Sequence, residues 1–325
     1  MKKGWMFIIP LLLSLTACGT AQTPVPTQAL EKVSVPVGYI PNIQFAPLYV
    51  AIEKGYYRDA GLDVSLDYSF ETDAMALVGA DKLKFGFVSG EQVLLARAQQ
   101  LPVVYAMAWY EKYPVGIAAM TSSGISKPAD LKGKHIGTPV LFGASYVGLR
   151  ALLEAGGLNE QDVTIEVIGF NQVEALATGQ VDAVVVYVAN EPVQLRSKGY
   201  EINVMKVADH LQLVSNGLIT NEDTIKNDPE LVRRMSSATE KGVQYTAAHP
   251  DEAYEISKKY VENLSQADPV AQKAVLAESI ALWQITRPGY SEPSGWENMQ
   301  KVLLDMGLIS APLDLNSAYT NEFIK

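Results

Sequence analysis

Apolar and polar positions along this chain keep two spacings, and each change of spacing marks an element. Residues 33–37 (VSVPV) are apolar and β-branched, as in a short buried strand, and Tyr39-Ile40-Pro41-Asn42 turns the chain out of it. Asn42 can cap a helix, because its side-chain oxygen can accept from a free backbone N–H one turn in. Phe45, Leu48, Tyr49 and Ile52 then recur at helical spacing until Gly55. Gly61 leads into residues 62–66 (LDVSL), whose alternation predicts a second strand and completes a strand, helix, strand unit. The scheme repeats with a helix over 71–83, a strand over 84–88 and Ser89-Gly90-Glu91 at its tip. Ser89 is placed to cap a helix carrying Val93, Leu94, Leu95 and Ala98, and a strand over 101–107 runs out into Ala108-Trp109-Tyr110-Glu111-Lys112-Tyr113.

Residues 114–120 read as a buried strand, and the shift in composition at Thr121-Ser122-Ser123-Gly124 places a first crossing to a second lobe there. Residues 127–137 (KPADLKGKHIG) predict a short helix, a turn at Gly133 and a strand ending in the loop from Thr138 to Tyr146. A helix with Val147, Leu149, Leu152 and Leu153 on its apolar side comes next, then a strand over 163–168, a helix over 172–178 and a strand over 182–187. The tip of that last strand carries Tyr187, Asn190 and Glu191. Residues 199–204 make one more strand, and 211–220 return the chain to the first lobe. From Asp228 the pattern becomes amphipathic helices over 229–248, 250–263, 269–283 and 295–306, each with proline or a small polar residue near its start. With no strand signal after Thr220, these helices are expected to pack on the first lobe. The expected division is 33–118 for the first part of lobe 1, 119–215 for lobe 2 and 216–325 for the helical remainder of lobe 1, with hinges at 113–120 and 213–221.

The amino end is a processing signal. Lys2 and Lys3 precede an apolar run over 5–15, too short to span a bilayer but suited to a signal peptide core. Leu15-Thr16-Ala17-Cys18 then matches the bacterial lipobox, so residues 1–17 are expected to be removed and Cys18 to carry acyl chains such as palmitate. Residues 18–32, with Pro24 and Pro26 among Thr, Gln and Ala, read as the anchor and a flexible tether. Cys18 is the only cysteine of the chain, which leaves no disulfide, thiol nucleophile or cysteine metal site beyond it. Without Lys2 and Lys3 the mature chain keeps 24 basic against 36 acidic residues, a net of −12, so nucleic acid is not an expected partner.

Little in the pattern supports catalysis. His135, His210 and His249 have no ligand-spaced partner, so no metal is expected, and there is no phosphate loop, nucleophile elbow or dinucleotide fingerprint. Binding is better supported. The strand-edge loops collect Tyr39, Asn42, Phe45, Ser89, Glu91, Trp109 and Tyr110 in the first lobe and Phe142, Ser145, Tyr146, Tyr187, Asn190 and Glu191 in the second. Flat rings can stack on such aromatics while Asn, Ser and Glu read ring edges or hydroxyls. Lys112 is the one cation at these edges, which favours a neutral heterocycle. Phe45 and Tyr49 also suit a core, and Glu91 also suits a first-turn acid at a helix start. Trp109 and Tyr110 are expected to face a cleft, since adjacent aromatics on a turn should not both enter one core.

Pro41-Asn42, Ala46-Pro47-Leu48-Tyr49-Val50-Ala51 and Glu53-Lys54-Gly55-Tyr56-Tyr57 resemble the first helix of solute-binding proteins serving ABC importers. Residues 127–137 resemble the passage into their second lobe. The group includes proteins for thiamine-pyrimidine precursors, alkanesulfonates and riboflavin, and the riboflavin-binding lipoprotein branch is the most similar. The resemblance implies an α/β, two-lobe periplasmic-binding-protein fold of type II, each lobe a mostly parallel sheet flanked by helices, with the ligand cleft between them. It also implies a monomer, lipid-anchored on the extracytoplasmic face of the cell membrane, without cofactor, that hands its ligand to a permease and its ATP-binding subunit. Riboflavin is the first ligand it suggests, a formylaminopyrimidine-type thiamine precursor the second and an alkanesulfonate the third. Fungal pyrimidine synthases of thiamine biosynthesis share the fold but are known for a cysteine-rich motif and a histidine; lacking those cysteines, this chain is not expected to be an enzyme. A ligand-binding sensor domain is the alternative of another class.

Overall fold

The computed structural model describes Met1, residues 29–283 and residues 285–324. The expected leader apart from Met1, the lipidation site Cys18 and the tether through residue 28 lie outside the described residues. The strands are β1 (Glu31–Val37), β2 (Leu62–Tyr68), β3 (Gly86–Val88), β4 (Val103–Ala108), β5 (Val115–Met120), β6 (His135–Thr138), β7 (Thr164–Val167), β8 (Ala183–Tyr187), β9 (Ile202–Lys206) and β10 (Gly217–Asn221). They form two five-stranded sheets in the orders β2-β1-β3-β10-β4 and β7-β6-β8-β5-β9.

One strand in each sheet breaks the parallel rule. β10 runs antiparallel between β3 and β4, and β5 runs antiparallel between β8 and β9. These are the two strands that arrive from the other lobe. A chain crossing between lobes reaches the new sheet at the edge facing the cleft, so its strand must run away from the cleft, against its neighbours.

The position of β5 corrects the expected boundary. Residues 114–120 belong to the second sheet, so the outgoing crossing is 109–114, ahead of β5, and not the polar stretch at Thr121. Its apolar run buries equally well in either sheet, so periodicity identifies the strand without assigning it to a lobe.

The first unit folds as its spacing predicts. β1 and β2 pair in parallel from Glu31 with Leu62 to Val37 with Tyr68. Asn42 accepts from the Gln44 N–H at 3.0 Å and caps the short turn Ile43–Phe45, which leads into the helix Ala46–Glu53. Leu48, Tyr49, Val50 and Ala51 of that helix are fully buried, and Gly55 comes after it with a φ of 78° that a side chain would strain. The helix Pro229–Ala248 lies directly on it: a Cβ at Gly242 would come within 2.3 Å of the Pro47 carbonyl oxygen. Three expected helices end early, at Gly79, Ser257 and Ile280, and Asp81, two residues past the first of them, takes a left-handed φ of 54°.

The carboxyl-terminal helices reach further than expected. Pro229–Ala248 covers the first lobe, but Pro269–Ile280 also meets Glu191–Ser197 of the second. Pro293–Asp305 touches Gly90–Ala98 in one lobe and Gly143–Ala155 in the other. Apolar faces of these helices therefore brace both lobes around the cleft.

Candidate ligand-binding site

Loops leaving the carboxyl ends of the parallel strands face each other across the lobes, and a cavity lies between them. The cavity volume is about 100 Å³. Of the residues singled out by sequence, Tyr39, Phe45, Trp109 and Tyr110 line it from the first lobe, and Phe142, Ser145, Tyr187, Asn190 and Glu191 from the second.

Asn42, Ser89, Glu91 and Tyr146 are not part of the lining. Asn42 is occupied as a cap, and its carbonyl accepts from the Tyr49 hydroxyl at 3.2 Å. Ser89 stands at the cap position of Gly90–Ala98 without capping it; its hydroxyl is turned to the carboxyls of Glu71 and Glu91, behind the cavity wall. Tyr146 faces away and donates to Glu160 at 2.7 Å while accepting from Arg150 at 3.0 Å.

Sequence reasoning missed Gln44, Phe70, Glu71, Phe87, Phe170, Gln172 and Asn216, all of which line the cavity. Phe70 and Glu71 lie just beyond the end of β2, so the strand-edge rule that found Tyr39 could have found them. Asn216 carries no such signal, because it precedes β10 and is brought in by the returning crossing.

Trp109 and Tyr110 line the cavity, but the expectation that they would not both enter one core is corrected. Both are buried, at 1% and 7% exposure, and both belong to the apolar core of the first lobe as well as to the cavity wall. Their N–H groups donate to the same Asn216 carbonyl at 3.1 and 3.2 Å, and Tyr110 forms a β-bridge with Trp283. The chain after Pro269–Ile280 thus folds over the turn, and the side chain that leaves the sheet meets a second apolar layer. Trp109 lies 6.0 Å from Phe45, 5.6 Å from Phe87 and 6.0 Å from Trp283 between ring centroids.

The polar groups are few and mostly uncharged. Gln44 Nε2 and Trp109 Nε1 are buried without a hydrogen-bond partner although their side chains line the cavity. An unpaired buried donor costs about 1–3 kcal/mol, which a ligand acceptor would recover. Glu191 accepts from the Tyr187 N–H at 2.8 Å and from Asn190 Nδ2 at 2.9 Å, and burial raises its carboxyl to about 7. Burial and the neighbouring Glu91 push Glu71 up to about 8. No lysine, arginine, histidine or cysteine stands in the lining, and no group of side chains able to hold a metal is found among the described residues.

Two α/β lobes with a cavity between facing strand edges are the architecture of the periplasmic binding proteins, and solved structures agree. The alkanesulfonate-binding protein SsuA from Xanthomonas axonopodis, bound to MOPS, superposes with a TM-score of 0.71 at 15% identity over 89% of this chain and 98% of that one. A Candida albicans protein described as exhibiting the generic periplasmic binding protein fold gives 0.67 at 18% identity, over 91% and 98%. The chain belongs to the NMT1/THI5-like family, whose model matches residues 42–253. It is 40% identical to the riboflavin-binding protein RibY of Chloroflexus aurantiacus over 97% of this chain and 96% of that protein. It is 28% identical to the formylaminopyrimidine-binding protein of Halalkalibacterium halodurans over 97% and 98%. A 4-amino-5-hydroxymethyl-2-methylpyrimidine phosphate synthase from Legionella pneumophila is 24% identical over 90% and 92%.

Proposed function

We propose that this protein is the solute-binding subunit of an ABC importer and that it captures riboflavin between its lobes for delivery to a membrane permease. The observation that carries the reading is the cavity wall: aromatic rings from both lobes, unpaired donors at Gln44 and Trp109, and no cation. Rings so placed stack on a flat ligand, each contact contributing about 0.5–1.5 kcal/mol beyond area burial. The donors match ring carbonyls. A lining without a cation disfavours a sulfonate, whose charge calls for one. The riboflavin-binding relative at 40% identity supports the choice of flavin, and the relative at 28% makes a formylaminopyrimidine the second reading.

A role in binding rather than synthesis rests on the names of those two relatives and on a lining without histidine or cysteine. Acyl chains on Cys18 would hold the protein at the extracytoplasmic face of the membrane, with the tether giving it reach. Closure of the lobes on ligand would present both to the permease.

Titration of the purified protein with riboflavin tests the reading through quenching of flavin emission. Saturable one-site quenching, weakened by Trp109→Phe, is expected. Absence of quenching together with a thermal shift on adding formylaminopyrimidine would transfer the assignment to the pyrimidine.

A further inference from the structure

Glu71 reaches the cavity wall from the first turn of the helix Glu71–Gly79. Two glycines border its path. A Cβ at Gly38 would stand 2.2 Å from Glu71 Cγ, and one at Gly143, across in the second lobe, would stand 3.6 Å from Glu71 Oε2. The carboxyl is held from behind by the Ser89 N–H, which donates to Oε1 at 2.9 Å. Ser89 Oγ lies within hydrogen-bond reach of both Glu71 Oε2 and Glu91 Oε1, and Ser89 and Glu91 are wholly buried.

A hydroxyl has one proton to give. It can serve one of two carboxylates, and the second contact closes only when the other carboxyl carries a proton and donates it to Oγ. The arrangement therefore holds one proton across the pair. Glu71 accepts the Ser89 N–H at Oε1, so it presents an acceptor toward the cavity whichever of the two carboxyls carries the proton. Burial raises both acids. The titratable groups that face them are Tyr105, Tyr113 and Tyr187, and the hydroxyls of Tyr105 and Tyr113 are committed to the carbonyls of Ser215 and Ala144 at 3.1 Å. None of these supplies a positive charge.

We propose that Glu71 is a specificity-determining residue that accepts a hydrogen bond from an N–H of an uncharged ligand, and that the proton shared with Glu91 through Ser89 keeps the pair singly charged. The proposal rests on the reading of the cavity as the site of a flat heterocycle. Gln44 Nε2 and Trp109 Nε1, the buried unpaired donors of the same cavity, supply partners for two acceptors. Two donors and one acceptor are what a cyclic imide edge requires: two carbonyls and the N–H between them. When the shared proton leaves, Glu71 is a full carboxylate, and because a donated N–H favours the ionised form the imide contact strengthens as pH rises.

The test compares riboflavin with its N3-methyl derivative on wild-type protein, Glu71→Gln and Glu91→Gln, between about pH 7 and about pH 9. Wild type is expected to favour riboflavin by about tenfold, the worth of one hydrogen bond to a charged acceptor, and to gain several-fold in affinity across that range. Glu71→Gln should lose the preference. Glu91→Gln should keep it with a flat profile, because its amide donates to Ser89 Oγ at every pH. Equal affinity of wild type for the two flavins, or an unchanged preference in Glu71→Gln, overturns the role of Glu71 while leaving the flavin reading intact. If wild type binds neither flavin, the flavin reading fails, and infrared titration of the free protein decides on the proton. A carboxyl C=O band lost on raising pH and missing in Glu91→Gln supports the shared proton; a wild-type spectrum without that band overturns it.

Discussion

Tyr39 and Phe170 meet edge to face across the cleft, with ring centroids 4.9 Å apart and planes at 88°. Phe70 and Phe142 repeat the arrangement at 5.7 Å and 75°. Each pair takes one ring from each lobe, and Phe70, Phe142 and Phe170 remain exposed at 53%, 38% and 43%. Such rings add little to either core, so their energy goes into holding the lobes together.

Phe170→Ala should therefore leave the melting temperature nearly unchanged and speed ligand release. A lost edge-to-face pair is worth about 0.5–1.5 kcal/mol, or about two- to tenfold in affinity. Stopped-flow release measurements on Phe170→Ala, Phe142→Ala and the double variant check this, and additive effects are expected because the two pairs share no ring. Slower or unchanged release would remove the pairs from any part in closure.

Gly38→Ala should damage the site through Glu71. The added methyl would collide with Glu71 Cγ, and overpacking of this kind costs about 1–3 kcal/mol. Thermal melts and ligand titration should both register the loss. Adding Glu71→Ala to Gly38→Ala should recover stability but not binding, since the clash is relieved and the acceptor is gone.

Stability should fall between mildly acidic and mildly alkaline pH. Glu71, Glu91 and Glu191 are raised in the folded chain, to about 8, about 7 and about 7, chiefly by burial. The unfolded chain releases these protons above about pH 4.5 while the folded chain still binds them, so stability is full below that value and is lost as pH rises through the folded values. Melting temperature should be several degrees higher near pH 5 than near pH 8, and Glu91→Gln should shrink the difference. A melting temperature that climbs over this range would contradict the burial of these acids as charged-form penalties.

Cys18→Ala should move the protein from the membrane fraction to the soluble fraction without changing its affinity for ligand. Mass spectrometry of the native chain should find the acyl chains on Cys18 at the new amino terminus left by removal of residues 1–17. An unmodified Cys18 in the membrane-expressed protein would exclude the anchor.

Much of the fold was legible because its elements are local. The strand over 33–37, the cap at Asn42, the stop at Gly55 and the helix Pro229–Ala248 each depend on residues within a few turns of one another. The strand-edge rule also picked Tyr39, Trp109, Tyr187 and Glu191, since a loop leaving a parallel strand must emerge on the side of the cleft. It misplaced Ser89 and Glu91, because a strand tip can turn its side chains behind the wall as readily as into the cavity.

Local spacing and residue chemistry therefore account for the series of strands and helices, the α/β class and the loops from which a site could be drawn. Those properties rest on backbone periodicity and residue chemistry, which act over short separations. Long-range packing instead sets β5 in the second sheet, folds Trp283 over Trp109 and Tyr110, and brings Glu71 to the cavity through the space at Gly38. Each depends on contacts between residues far apart in the chain, where burial and close packing choose among faces that local spacing leaves equivalent.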